Sequence, residues 1–295
     1  MIFLRAAGGR VTAIDGRSVD SVVTTRRRLL EFGAICVVLS WLPWAILGLL
    51  GANLDEGGGM LVFTLAASGP SLAALAMWLW HREKQRLVRW SWRWPIAAVL
   101  LGALPPLAAS ALTGHLAAFP DHAADVIAGA GGPLGALAYT LLAGPVAEEF
   151  GWRGYVQPRL RRYYGQLATT VVLGAAWGLW HVPLYFLNGT GQHDDGLFTQ
   201  QGLTFFLGLF PLTYVMLFVT ERLRGGVPAA ILVHAAWNLT EELIPPLGNG
   251  VWVELLVLTA TAIAVGCYWR RRPSVAPAML DADSASDRRV PGWRR

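Results

Sequence analysis

Charge is scarce in this chain. Asp, Glu, Lys and Arg supply 15% of its 295 residues, against about 25% in an ordinary soluble domain. A soluble protein of this length needs more polar surface to stay dispersed. Cysteine is scarcer still. Cys36 and Cys267 are the whole complement, each within a hydrophobic run and near opposite ends of the chain. That excludes a disulfide framework, a CxxC redox motif and a Cys/His finger. Both read as small apolar residues of helices. These shortages exclude a soluble two-domain enzyme, a disordered chain and a nucleic-acid-binding module.

What is abundant is apolar sequence, 54% of the residues, with 14 Trp and 17 Pro. The fold class it implies is all-α: a polytopic membrane helix bundle of about eight transmembrane helices. Crossing the hydrocarbon core takes about 20 mostly apolar residues in a helix. Eight runs qualify: 33–52, 60–80, 95–114, 131–150, 167–187, 202–221, 227–244 and 251–269. The first is too long for a signal-peptide core, and no persuasive cleavage site follows it, so it reads as a retained span.

The charges that remain are sorted by connection. Arg26, Arg27 and Arg28 precede the first run, and Asp55 and Glu56 follow it. Arg82, Lys84, Arg86, Arg89 and Arg93 come next, then Asp121 and Asp125. Arg153, Arg159, Arg161 and Arg162 are followed by Asp194 and Asp195, then by Arg222 and Arg224. The 245–250 connection is uncharged, and Arg270, Arg271 and Arg272 close the last run. Basic connections stay in the cytoplasm. Both termini are therefore expected there, which agrees with an even number of spans. The chain divides into a cytoplasmic segment 1–30, three helices over 31–130, a core over 131–245, a last helix over 246–272 and a tail over 273–295. The tail mixes Pro, Ser, Asp and Arg and is expected to be disordered.

An ionisable group at the centre of a span costs at least about 2.5 kcal/mol on insertion scales. The fourth, fifth and seventh runs carry the groups that stand out. The fourth ends Gly144-Pro145-Val146-Ala147-Glu148-Glu149-Phe150-Gly151-Trp152-Arg153. Successive helical positions point about 100° apart, so the two glutamates cannot share one role. Glu149 and Arg153 stand at i and i+4 in the favourable order for an ion pair. Glu148 is left on another face, just after a proline that removes a backbone hydrogen bond. In the fifth run Gly174, Gly178 and His181 share a face, and the small residues admit a close neighbour helix. In the seventh, Ala230, His234 and Asn238 stack at intervals of four, with Glu241 and Glu242 one turn on. Each feature alone also fits packing or a solvated helix end. Together they bring a carboxylate, two imidazoles and a carboxamide from three spans toward one polar cavity. Two His and one Glu also make a zinc-ligand inventory.

Depth along the helices leaves one mismatch. Glu148 and His234 come out roughly 10 Å or less from the cytoplasmic end, and His181 about 20 Å. Either the fifth span starts nearer residue 172, or the helices are tilted and staggered. HExxH, Gly-x-Gly-Asp, Gly-x-Ser-x-Gly and Walker A motifs are all missing.

Glu148-Glu149-x-x-x-Arg153, then Trp177-x-x-x-His181, then His234-x-x-x-Asn238 resemble the CPBP family of CAAX prenyl proteases and bacteriocin-processing proteins, also called Abi. The resemblance covers roughly 130–245 and differs from the usual pattern in Trp177, where Phe is common. It implies a membrane-embedded endopeptidase whose catalytic core is 131–245, with a cavity open to the cytoplasm. Glu148 and His181 would then activate water, and His234 and Asn238 would stabilise the oxyanion. Glu149, Arg153 and Trp177 would support them. Cofactor use stays open between none and Zn²⁺, whose ligands would be Glu148, His181 and His234. A metal-free glutamate mechanism is the favoured side. The implied partners are the lipid bilayer and a membrane-embedded protein or peptide substrate, with no nucleic acid. Prenylated CAAX proteins, bacteriocin leader peptides and membrane-anchored regulators all qualify. Arg far outnumbers Lys, which suggests a GC-rich bacterial source, a multi-pass protein of the cell membrane and less use of prenylated substrates. A non-catalytic scaffold or bacteriocin-immunity factor on the same fold, or a proton-coupled transporter, are the alternatives.

Overall fold

The computed structural model describes residues 16–54, 58–82, 93–142 and 144–271. The readings for 1–15, Asp55, Glu56, Lys84, Arg86, Arg89 and the tail from Arg272 onward lie outside them. Among the described residues every regular element is helical. The long helices are α1 (Gly16–Leu49), α4 (Arg93–Leu112), α9 (Gln166–His181), α11 (Gln200–Leu217), α12 (Gly226–Leu243) and α13 (Val251–Arg271). Shorter ones are α2 (Gly59–Ala67), α3 (Gly69–His81), α5 (Phe119–Gly129), α6 (Pro133–Leu142), α7 (Pro145–Glu149), α8 (Gln157–Leu160) and α10 (Gly191–Asp195).

Five helices are long and apolar enough to cross a membrane, or seven if each of two bent pairs is one span. The protein is a multi-pass helical membrane bundle. The seventh expected run, 227–244, is α12, and it is not among those seven. His234, Asn238, Glu241 and Glu242 dilute its apolar character. The bent pairs have local causes. Ser68 separates α2 from α3, which starts at Gly69-Pro70 and meets α2 at 49°. Gly131 and Gly132 take φ of +77° and +103°, conformations that favour glycine, at the 79° turn before α6.

α1 begins at Gly16, well before the expected first run, so the Arg-rich segment is helical there. Thr25 is buried and its hydroxyl pairs with Tyr163 at 3.2 Å. Further along, Val38, Leu42 and Ile46 form an exposed stripe four residues apart, while Cys36, Ser40, Trp44 and Leu47 are buried on the opposite side. That is the 3.6-residue period of a helix with lipid on one face and protein on the other. In lipid, helices gain little from hiding apolar surface from each other, so close packing and hydrogen bonds must hold them together. Small residues provide the approach. A side chain at Gly102 of α4 would collide with the backbone of α12 at Val233. One at Gly174 or Gly178 would stand 3.0 or 3.1 Å from Phe210 or Phe206, so α11 is the close neighbour that the glycine face of α9 admits.

Two arginines expected in a basic connection are instead buried. Arg159 is 5% exposed, stacks over the Tyr155 ring at 3.3 Å and donates to the Tyr155 carbonyl at 2.7 Å. Arg153 is 3% exposed and belongs to the site described next.

Candidate active site

The site is built where the backbone interrupts a helix. Gly144 leaves helical geometry (φ −145°, ψ −74°) and Pro145 restarts it. At a first helical position the missing N–H of proline costs nothing. The Gly144 carbonyl accepts from the Glu148 N–H at 2.9 Å, which sets both glutamates in α7. The chain then runs on as a π-helical segment, Phe150–Val156. Such widened turns concentrate at functional sites.

Glu149 is fully buried. Its Oε1 accepts from Arg153 Nη1 at 3.0 Å, the pair that the i, i+4 spacing predicts, and also from His234 Nδ1 at 2.8 Å. Arg153 donates from Nη2 to Thr213 on α11 at 3.3 Å. Its guanidinium lies 4.1 Å from the centre of the Trp177 ring. One carboxylate thus holds a cation from its own helix and an imidazole from α12.

Trp177 joins the remaining groups. Its indole N–H donates to Glu148 Oε2 at 2.5 Å. Its carbonyl accepts from His181 Nδ1 at 2.8 Å. A carbonyl can only accept, so the His181 proton lies on Nδ1 and the neutral ring keeps a lone pair on Nε2. Phe205 and Trp180 pack edge-to-face on the same imidazole, at 5.1 and 4.8 Å. His181 closes α9, which starts at Gln166. The depth mismatch is therefore not resolved by a later start of that helix, which leaves stagger and tilt.

Glu148, His234 and Asn238 converge above Gly144. From the point where a Gly144 side chain would begin, Asn238 Nδ2 is 3.3 Å away, Glu148 Oε1 3.5 Å and His234 Nε2 3.7 Å. That space opens into a cavity of about 660 Å³, which His181 and Trp177 also line. The size suits a small ligand or a peptide segment. All four candidate catalytic residues therefore face one cavity, with Glu149 and Arg153 behind it.

A side chain on residue 144 would fill the space between those three groups. Gly144→Ala is expected to cut turnover about 10²-fold by displacing whatever binds there. Thermal stability should be nearly unchanged, because the added methyl points into the cavity. Hydrolysis rates and melting curves of the purified variant check both halves.

The donor set does not fit zinc as a group. Among the described residues no three His, Cys, Asp or Glu side chains are placed to hold a metal ion, and so Glu148, His181 and His234 do not form one ligand set. The misfit is one of placement alone, since His234 and His181 each commit Nδ1 to an acceptor and keep Nε2, as a ligating imidazole also does.

Three features escape the sequence reading. The Glu149–His234 contact links residues 85 apart. The Trp177 indole acts as a donor, where the motif shows only a large aromatic. Glu254 of α13 also lines the cavity, with Glu241, Glu242 and Asp195. Glu254 lies inside the apolar run 251–269, and an ionisable residue in a span is itself the signal that could have found it. Asp195, in α10 and outside the spans, has its carboxyl held above the usual range by burial and then by the charge of Asp194.

Fold and site together define a multi-pass helical membrane protein with a buried carboxylate–imidazole cluster at a broken helix. Residues 130–240 match the profile of a family described as type II CAAX prenyl endopeptidase, Rce1-like. The chain is also 32% identical over 133 residues to CAAX prenyl protease 2 of Methanococcus maripaludis. That alignment covers 44% of this chain and 48% of the relative, so the chain spans about half the length of the curated relative it matches. The resemblance read from Glu148, His181, His234 and their neighbours is thus shown over the stretch that carries them.

Proposed function

We propose that this protein is an intramembrane endopeptidase that hydrolyses a peptide bond of a membrane-associated protein or peptide. The observation that carries the reading is the convergence of Glu148, His234 and Asn238 on the space above Gly144. The Glu148 carboxylate and His181 Nε2 are both acceptors on the cavity, suited to hold a water by its hydrogens. Glu148 takes a proton as the water oxygen attacks the carbonyl carbon, and later gives it to the leaving amine. The Asn238 amide donates to the developing oxyanion. With Nδ1 committed to Glu149, His234 donates from Nε2 when its ring carries both protons. The Glu149 carboxylate then compensates the charge of the ring, as an orienting carboxylate does behind other catalytic imidazoles.

The name of the archaeal relative places prenylated CAAX proteins among the substrates to test. The excess of Arg over Lys suggests a bacterial source, which weighs against prenylated substrates and keeps leader peptides and membrane-anchored regulators under test. Cytoplasmic termini are what the charge alternation supports, whereas a cavity open to the cytoplasm rests on the family resemblance alone. The functional test is comparative proteomics of membrane fractions from cells carrying the wild-type gene or a Glu148→Gln copy. Substrates should accumulate uncut in the second. Identical sets of protein termini in the two would overturn the reading.

A metal-free reaction makes a separate prediction. Exhaustive chelation should leave turnover unchanged, and the purified protein should carry no stoichiometric zinc. Reversible inactivation, restored by zinc, would give Glu148, His181 and His234 a ligand role.

A further inference from the structure

Beyond the catalytic cluster the cavity is acidic. Glu241, Glu242, Glu254 and Asp195 all line it, and among the described residues no Lys or Arg does. Glu241 and Glu242 lie three and four residues beyond Asn238 on α12, so they continue the face that carries His234 and Asn238. Three or four residues of helix rise about 4.5–6 Å. Glu254 reaches the same lobe from the first turn of α13.

Two of these carboxyls meet. Glu241 and Glu254 are within hydrogen-bond contact, and the Trp237 indole also reaches Glu241. Glu254 is only 9% exposed, and its Oε1 is enclosed with no hydrogen-bond donor of the described residues reaching it. Glu241 is exposed and lines the cavity. Two carboxylates at contact repel unless a proton or another cation lies between them. A buried acceptor without a donor is costly to leave so. A proton shared between Glu241 and Glu254 relieves their repulsion, and a cationic donor on an occupant of the cavity would satisfy the acceptors that remain. A metal ion is the weaker candidate, because no three side chains of the ligating types are grouped for one among the described residues.

We infer that the lobe formed by Glu241, Glu254 and Glu242 is a specificity subsite for a Lys or Arg side chain of the substrate, one or two residues from the bond that is cut. An extended chain advances about 3.3 Å per residue. The helical rise of about 4.5–6 Å from Asn238 to Glu241 and Glu242 corresponds to that offset. A long alkyl stem passes along the apolar cavity wall while its charged head reaches the carboxyls. This rests on the endopeptidase reading in one respect only, that the occupant is a peptide.

The test is a binding measurement, read whether or not the peptide is cut. Fluorescent peptides with blocked ends, identical except for one Lys, Gln or norleucine, are titrated against the full chain in nanodiscs of zwitterionic lipid. The Lys peptide should bind about tenfold to hundredfold tighter than the Gln peptide, the range of a charge-assisted hydrogen bond. In Glu241→Gln/Glu254→Gln protein the ratio should fall to near one. Should that protein not fold, the single Glu254→Gln variant is measured instead and should lose most of the ratio. Equal binding of Lys and Gln peptides to the wild type, no binding of the Lys peptide, or a preference that survives the substitutions would each overturn the subsite. Cleavage without charge preference counts against the subsite alone. A charge preference without any cleavage counts against the endopeptidase alone.

Discussion

Glu148→Gln should reduce turnover by about 10²–10⁴-fold, the usual contribution of a positioned general base. The reason is geometric. Glu148 Oε2 takes the Trp177 N–H and Oε1 faces the space above Gly144. A glutamine fills the same volume and can keep its carbonyl on the indole, but it cannot accept a proton from water. Folding should therefore survive, with a melting temperature close to wild type. Michaelis constants should change far less than turnover, because the lost interaction belongs to the transition state. Near-normal turnover would remove Glu148 from the chemistry. A large loss of thermal stability would give it a structural role instead.

Glu149→Gln should fail differently. Glu149 is the shared acceptor for Arg153 and His234, with no exposure of its own side chain. Removing its charge leaves the buried Arg153 guanidinium without its carboxylate. Breaking a buried pair in this way costs about 3–5 kcal/mol. The same change loosens His234, because Nδ1 loses the carboxylate that orients it. The expected variant is both less stable and less active, and part of its activity should be lost even at temperatures where it stays folded. Double substitution at Glu149 and Arg153 should recover stability more than activity, since it removes the unpaired charge without restoring the anchor of His234. Thermal melts and rates on the two single variants and the double variant separate these effects. Glu149→Gln with normal stability and normal rate would mean that neither contact matters.

The parts of this site that were legible in the sequence are those with helical spacing. Glu149 and Arg153 sit four apart and pair; Gly174, Gly178 and His181 share a face and meet α11. His234 and Asn238 share another and both reach the cavity. What spacing could not give is which partners meet between helices. Nothing within α12 alone says that His234 bonds Glu149 rather than Glu148. Nor does an aromatic four residues before His181 say that Trp177 ties Glu148 to His181 through its indole on one side and its carbonyl on the other. The helix breaks were half legible. Pro145 marked an interruption before the glutamates, yet the sharp 79° turn lies upstream, beside Gly131 and Gly132. Charge sorting misled at Arg153 and Arg159, because a buried cation reads like a loop cation until its partner is seen.

The measurement that bears most directly on the site is oxygen transfer from solvent. Wild-type protein in vesicles, supplied with a membrane-anchored peptide in H₂¹⁸O, should produce a new carboxyl terminus carrying one ¹⁸O, and the Glu148→Gln protein should produce it at least about 10²-fold more slowly. A peptide cut equally by both proteins, or left intact by the wild type while other membrane peptides are also spared, would contradict hydrolysis by water activated at Glu148.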